Sequence, residues 1–174
     1  MNRQYWIVAA VAGLALASGL GVATWLRQPA STQPGAAEAL LSAPLQDLHN
    51  QQQTLAQYRG RILVVNFWAT WCPPCREEIP LFVEAQQKFG AQGLQFVGIA
   101  LDNPQQVAGF VQEFGVNYPV LIGGVNESEA LRKLGNSGGG LPYTLIYDRS
   151  GTLREKIIGG LDRARLEHLL APLI

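Results

Sequence analysis

Residues Ile62–Trp68 (I-L-V-V-N-F-W) carry no charge and only one polar side chain, Asn66. A run of this kind is the pattern of a strand buried on both faces in the middle of a sheet. Four residues beyond it stands Cys72-Pro73-Pro74-Cys75, and the two prolines suit the first turn of a helix. That helix is predicted to run to about Phe89 and to stop at Gly90. A buried strand handing over to a helix at a pair of cysteines restricts the fold more than any other part of the chain.

The remaining pattern extends it. Residues 94–101 form a second apolar run, read as another buried strand. Asp102-Asn103-Pro104 caps a helix with Val107, Phe110, Val111 and Phe114 on one stripe, closed by Gly115. A short strand is expected at 118–122 and a short helix at 127–134. Tyr143–Tyr147 and 152–158 should pair as a hairpin around the 148–151 turn. Asp162 starts a last amphipathic helix through Leu166, Leu169 and Leu170, and residues 45–55 add a weaker N-terminal hairpin. Strand–helix alternation ending in a hairpin and a helix predicts an α/β fold, a mixed sheet with helices on both faces.

The spacing of the cysteines carries chemistry. Two intervening residues let both sulfurs close a small ring and set the first at a helix N-terminus. Free N–H groups and the positive end of the helix dipole favour a thiolate there. Cys72 is therefore the expected nucleophile on a partner's disulfide, and Cys75, one turn in, resolves the mixed disulfide. The prolines remove two donors that a thiolate would use, which keeps the Cys72 pKa nearer that of an ordinary thiol and favours a reductant. The other readings are weaker. Zinc needs two further ligands, and the chain has only His49 and His168. Covalent haem needs His after the second Cys, where Arg76 stands. An inert disulfide across so short a loop adds little stability. No metal and no cofactor beyond the dithiol is expected.

Residues 4–26 are uncharged, a stretch of 23 residues. As a helix it would measure roughly 34 Å, enough to cross a hydrocarbon core of about 30 Å. Tyr5 and Trp6 sit near one end and Trp25 at the other, as interfacial aromatics do. Arg3 and the terminal amine favour an N-terminus inside and a domain outside. A cleaved signal peptide is the competing reading, with Ala15-Leu16-Ala17 as the cleavage motif. Either reading exports the domain. The expected organisation is an anchor or signal peptide at 1–27, a Pro-containing linker at 28–37 and one domain at 38–174. That domain has 11 basic and 13 acidic side chains, so a polybasic nucleic-acid surface is excluded.

V-V-N-F-W-A-T-W-C-P-P-C-R-E-E-I-P, Val64 to Pro80, resembles the active-site signature of the thioredoxin superfamily. Within it, the chain is similar to the membrane-anchored TlpA/ResA/CcmG-type thiol–disulfide oxidoreductases of bacteria, over nearly all of 38–174. The resemblance implies a thioredoxin fold with an N-terminal β-hairpin and a central α/β insertion, preceded by a transmembrane helix. It implies that Leu141-Pro142, after Gly138-Gly139-Gly140, is the cis-proline loop facing the dithiol, with the Leu141 backbone free to pair with an extended client strand. Without the cysteines an ordinary trans proline would be expected there. Tyr143 departs from the threonine often found at its position.

Classical thioredoxins have a buried Asp on the strand before the dithiol, where this chain has the non-titrating Asn66. Cys75, Glu78, Ile79 and Phe82 instead fall on one helix face, and TlpA-like reductases carry a functional glutamate at the position of Glu78. Glu78 is the expected proton acceptor for Cys75, with burial raising its pKa. The alternative is a half-exposed carboxylate held by the helix dipole. Trp71 is expected to cover the sulfurs or meet the client, Trp68 to pack in the core, and Arg76 to be a solvated charge.

The expected function is an exported, membrane-tethered reductase on the periplasmic side of a bacterial inner membrane. The family suggests protein clients with disulfides, such as apocytochrome c or copper-site proteins of a respiratory oxidase, and recharging by a transmembrane thiol-electron donor. A disulfide oxidase would use the same residues in reverse. A peroxidase would use a lone cysteine in another setting. A metal-site assembly factor is the non-enzyme alternative.

Overall fold

The computed structural model describes residues 35–174. The described residues belong to one compact unit. The predicted membrane segment lies outside them. Among the described residues no helix is long and apolar enough to cross a membrane.

The elements in order are α1 (Ala36–Ser42), β1 (Leu45–Asp47), β2 (Gln52–Gln53), β3 (Ile62–Trp68), α2 (Pro73–Phe89), β4 (Leu94–Ala100), α3 (Pro104–Glu113), β5 (Val120–Ile122), α4 (Val125–Lys133), β6 (Tyr143–Tyr147), β7 (Leu153–Ile158) and α5 (Arg163–Leu170). The strands form one mixed sheet in the order β2-β1-β5-β4-β3-β6-β7. β3 runs parallel to β4, and β4 to β5. β6 is antiparallel to both β3 and β7, and the β1–β2 hairpin extends the sheet antiparallel beside β5. This is the expected thioredoxin-like arrangement.

All seven residues of β3 are buried, because both sheet faces are covered. The period of two divides them. Ile62, Val64 and Trp68 join a core with Ile79 and Phe82 of α2, Phe110 of α3 and Leu166 and Leu170 of α5. Leu63, Val65 and Phe67 join the opposite core, with Leu40 and Leu41 of α1 and Leu131 of α4. Asn66 shares its side with Val64 and Trp68 and so faces α2.

One element was not expected. The proposed linker gives way at Ala36 to α1, whose A-A-E-A-L-L-S sequence is rich in strong helix formers. Leu40 and Leu41 bury against the sheet, and Tyr147 Oη donates to the Ala37 carbonyl at 3.3 Å. Proline and glycine at 34 and 35 mark a break in the chain, but only the sheet gives so short a helix a reason to persist.

Candidate active site

Cys72 is the N-cap of α2, with Pro73 and Pro74 in the first two helical positions. The Cys72 and Cys75 sulfurs are bonded at 2.05 Å, and their Cα atoms lie 5.3 Å apart. Cys75 is fully buried and Cys72 is 3% exposed, so of the two residues only the first reaches the surface. Trp71, 68% exposed, is the largest apolar side chain left in solvent beside them.

Glu78 lies one turn further along α2 on its buried face, while Glu77 is exposed. Only 1% of Glu78 reaches solvent. Its Oε1 accepts from Asn66 Nδ2 at 2.8 Å, and its Oε2 accepts from the Leu161 backbone N–H at 2.9 Å. Burial pushes its pKa from 4.5 up to about 7, against the pull of those two hydrogen bonds. The half-exposed alternative is thereby removed. Burial and the neighbouring Glu78 charge push the Tyr118 phenol up as well.

The turn carrying Cys72 is held from the other side. Thr70 donates to Asp102 Oδ2 through its N–H at 3.0 Å and through its hydroxyl, and its carbonyl accepts from Arg76 Nη1 at 3.3 Å. Burial opposes ionisation of Asp102, but the Thr70 and Asn103 donors outweigh it and hold the carboxyl below its usual range. Arg76 is exposed, as expected of a solvated charge, but it is also docked. Its guanidinium lies 5.1 Å from the ring of Phe110 and 5.0 Å from that of Phe114, which stack on each other. The helical spacing of those two rings was visible, but the cation's docking on them depends on how α2 and α3 meet. Trp68 packs on Phe110 at 4.9 Å, inside the core as expected.

The Leu141–Pro142 peptide is cis. Pro142 is buried and Leu141 half-buried, touching both cores. The Pro142 carbonyl accepts from the Gly159 N–H at 2.9 Å. The glycine turn before it is bracketed by buried Asn136, which donates to the Gly140 carbonyl at 2.8 Å and accepts from its N–H at 3.1 Å. Asn136, Asp102 and Leu161 are contributors that the residue pattern did not single out. Asp102 looked like part of a cap, Asn136 bonds Gly140 within an irregular turn, and the partner of Leu161 lies 83 residues away on α2.

His49 sits in the turn after β1 and His168 on α5. Among the described residues no group of three or more His, Cys, Asp or Glu is placed to hold a metal ion.

Comparison with known proteins places this geometry. The AhpC/TSA family matches residues 37–156. The thiol-disulfide oxidoreductase ResA of Geobacillus thermodenitrificans (strain NG80-2) is 30% identical over 127 residues, 72% of this chain and 71% of that protein. The crystal structure of a thioredoxin-family thiol:disulfide interchange protein from Chlorobium tepidum TLS has a TM-score of 0.64 at 31% identity, covering 76% of this chain and 94% of the other. That of a thioredoxin-related protein from Neisseria meningitidis serogroup B has 0.66 at 29%, covering 74% and 97%.

Proposed function

This chain belongs to the AhpC/TSA family as a thiol–disulfide oxidoreductase of the ResA type, and we propose that it works as an exported, membrane-tethered reductant of selected protein disulfides. The observation that carries this reading is the buried Glu78 carboxylate on the same helix face as Cys75. It gives the second thiol a base within a dry core, with a pKa of about 7 that suits proton exchange near neutrality.

In this scheme the Cys72 thiolate attacks one sulfur of the client disulfide. An S–S bond forms between Cys72 and the client, and the other client sulfur leaves as a thiolate. The Cys75 thiol then gives its proton to Glu78 and attacks Cys72. The mixed bond breaks, the intramolecular disulfide forms, and the second client sulfur leaves. Two electrons pass to the client, whose two thiolates take up protons, one of them returned from Glu78 through solvent. A transmembrane thiol-electron donor resets the pair. Trp71 and the Leu141–Pro142 loop form the client contact, the Leu141 backbone pairing with an extended strand.

The fitting clients are cysteine pairs that must stay reduced outside the cytoplasm, as before haem attachment or copper loading. Cys75→Ser expressed with its native leader, followed by identification of proteins disulfide-linked to Cys72, tests this. A small set of such precursors supports it. A broad mixture of newly exported proteins, with a dithiol potential near the roughly −120 mV of a strong oxidase, refutes it.

A further inference from the structure

Glu78 is satisfied as a carboxylate and poorly provided for as an acid. Both oxygens accept from N–H donors, Asn66 Nδ2 on one and Leu161 N on the other. A protonated Glu78 needs an acceptor, and the Leu161 N–H cannot become one because the backbone fixes it. Asn66 can. Its amide carries a donor group and an acceptor on opposite arms, exchanged by a half-turn of the side chain. In the present arrangement Asn66 Nδ2 also donates to Thr144 Oγ1 at 3.0 Å, across the Asn66↔Thr144 register pair of β3 and β6. Asn66 Oδ1 is left buried without a hydrogen-bond partner, the one such side-chain atom among the described residues. A buried polar atom left unpaired is costly and calls for a reason.

We propose that Asn66 is a reversible positioning residue for Glu78: its NH2 donates to the carboxylate, and its amide turns to accept from the carboxylic acid. After the turn Oδ1 accepts from both the Glu78 hydroxyl and the Thr144 hydroxyl. The NH2 then occupies the unpartnered place, so one arm of the amide is unsatisfied in either state. Two orphaned N–H donors cost more than one orphaned oxygen, which leaves the ionised arrangement favoured and the acid within reach. In this disulfide-bonded state, where Cys75 does not titrate, the titratable group coupled to Glu78 is Tyr118, between β4 and β5 in the chain; Asn66, Thr144 and Leu161 complete the surroundings without titrating. The inference rests on Glu78 being the proton acceptor for Cys75.

The full chain, labelled for side-chain amide and carboxyl resonances, is titrated from pH 5 to 9. The Asn66 NH2 signals should move between two limiting positions with the same midpoint as the Glu78 carboxyl carbon. Asn66→Leu should raise that midpoint by about one pH unit, because the carboxylate loses a charge-assisted donor. The pH profile of mixed-disulfide resolution should move with it. Asn66 signals that stay fixed while Glu78 titrates, or an unmoved midpoint in Asn66→Leu, overturn the proposal and leave the proton-acceptor role standing. If Glu78→Gln resolves mixed disulfides with an unchanged pH profile, the role itself is refuted and the proposal with it.

Discussion

The backbone N–H of Leu161 donates to Glu78 Oε2 at 2.9 Å, joining the loop after the last strand to the buried face of the active-site helix. The helix spacing places Glu78 beside Cys75, and this remote amide, with Asn66, makes a lone carboxylate tolerable in an apolar core. The hydrogen-bonded setting of Glu78 is therefore built from three separate stretches of chain.

Cys72 should be the sulfur that meets the outside. After reduction, a neutral alkylating reagent is expected to modify Cys72 first, because Cys75 has no exposed surface. Mass spectrometry of partly alkylated protein checks this, and Cys72→Ser should abolish exchange with any disulfide offered.

Glu78 makes the oxidised protein less stable as it ionises. Its folded pKa of about 7 lies above the unfolded 4.5, so the native state holds a proton that the unfolded chain has lost. Stability should fall as pH rises from about 4.5 to about 7 and then level off, by up to about 3 kcal/mol from this group. Glu78→Gln should flatten that part of the profile and be the more stable protein above pH 7. Urea unfolding across the range measures both.

Gly98 has no room for a side chain. A Cβ there would lie 2.8 Å from Trp68 Nε1, and the indole is fixed in the core against Phe110. Gly98→Ala is expected to cost about 1–3 kcal/mol in unfolding free energy, the usual penalty of overpacking.

Asp102 holds the turn that presents Trp71 and Cys72. Asp102→Ala leaves the Thr70 N–H and hydroxyl without their shared acceptor. A loss of about 1–3 kcal/mol is expected, with faster amide exchange at residues 70–72. Unaltered exchange at those amides would show that the Arg76 bond to the Thr70 carbonyl is sufficient alone.

Local signals read correctly where they repeat over many residues. The apolar run of β3 is continuous, and the faces of α2 and α3 recur with helical period, so burial follows from spacing. Boundaries shifted by a residue or two at short elements: β5 begins at Val120 rather than 118, and α4 spans Val125–Lys133 rather than 127–134. Helix α1 escaped notice because seven residues offer little periodicity and its support comes from distant strands. The stacking of exposed Arg76 on two rings was missed for a related reason, since a charge with ring partners and one without look alike in a string of residues.

The amino-acid sequence alone determined the strand–helix handover at Cys72, the pairing of two sulfurs across two residues, and the shared face of Cys75 and Glu78. Each depends on neighbours within about two helical turns. Tertiary structure decided what surrounds that charge. Asn66 lies 12 residues before Glu78 and Leu161 83 after it. Only the packed sheet brings them to opposite oxygens of one carboxylate, and a group's proton affinity depends on the solvent it has lost and the donors it has gained.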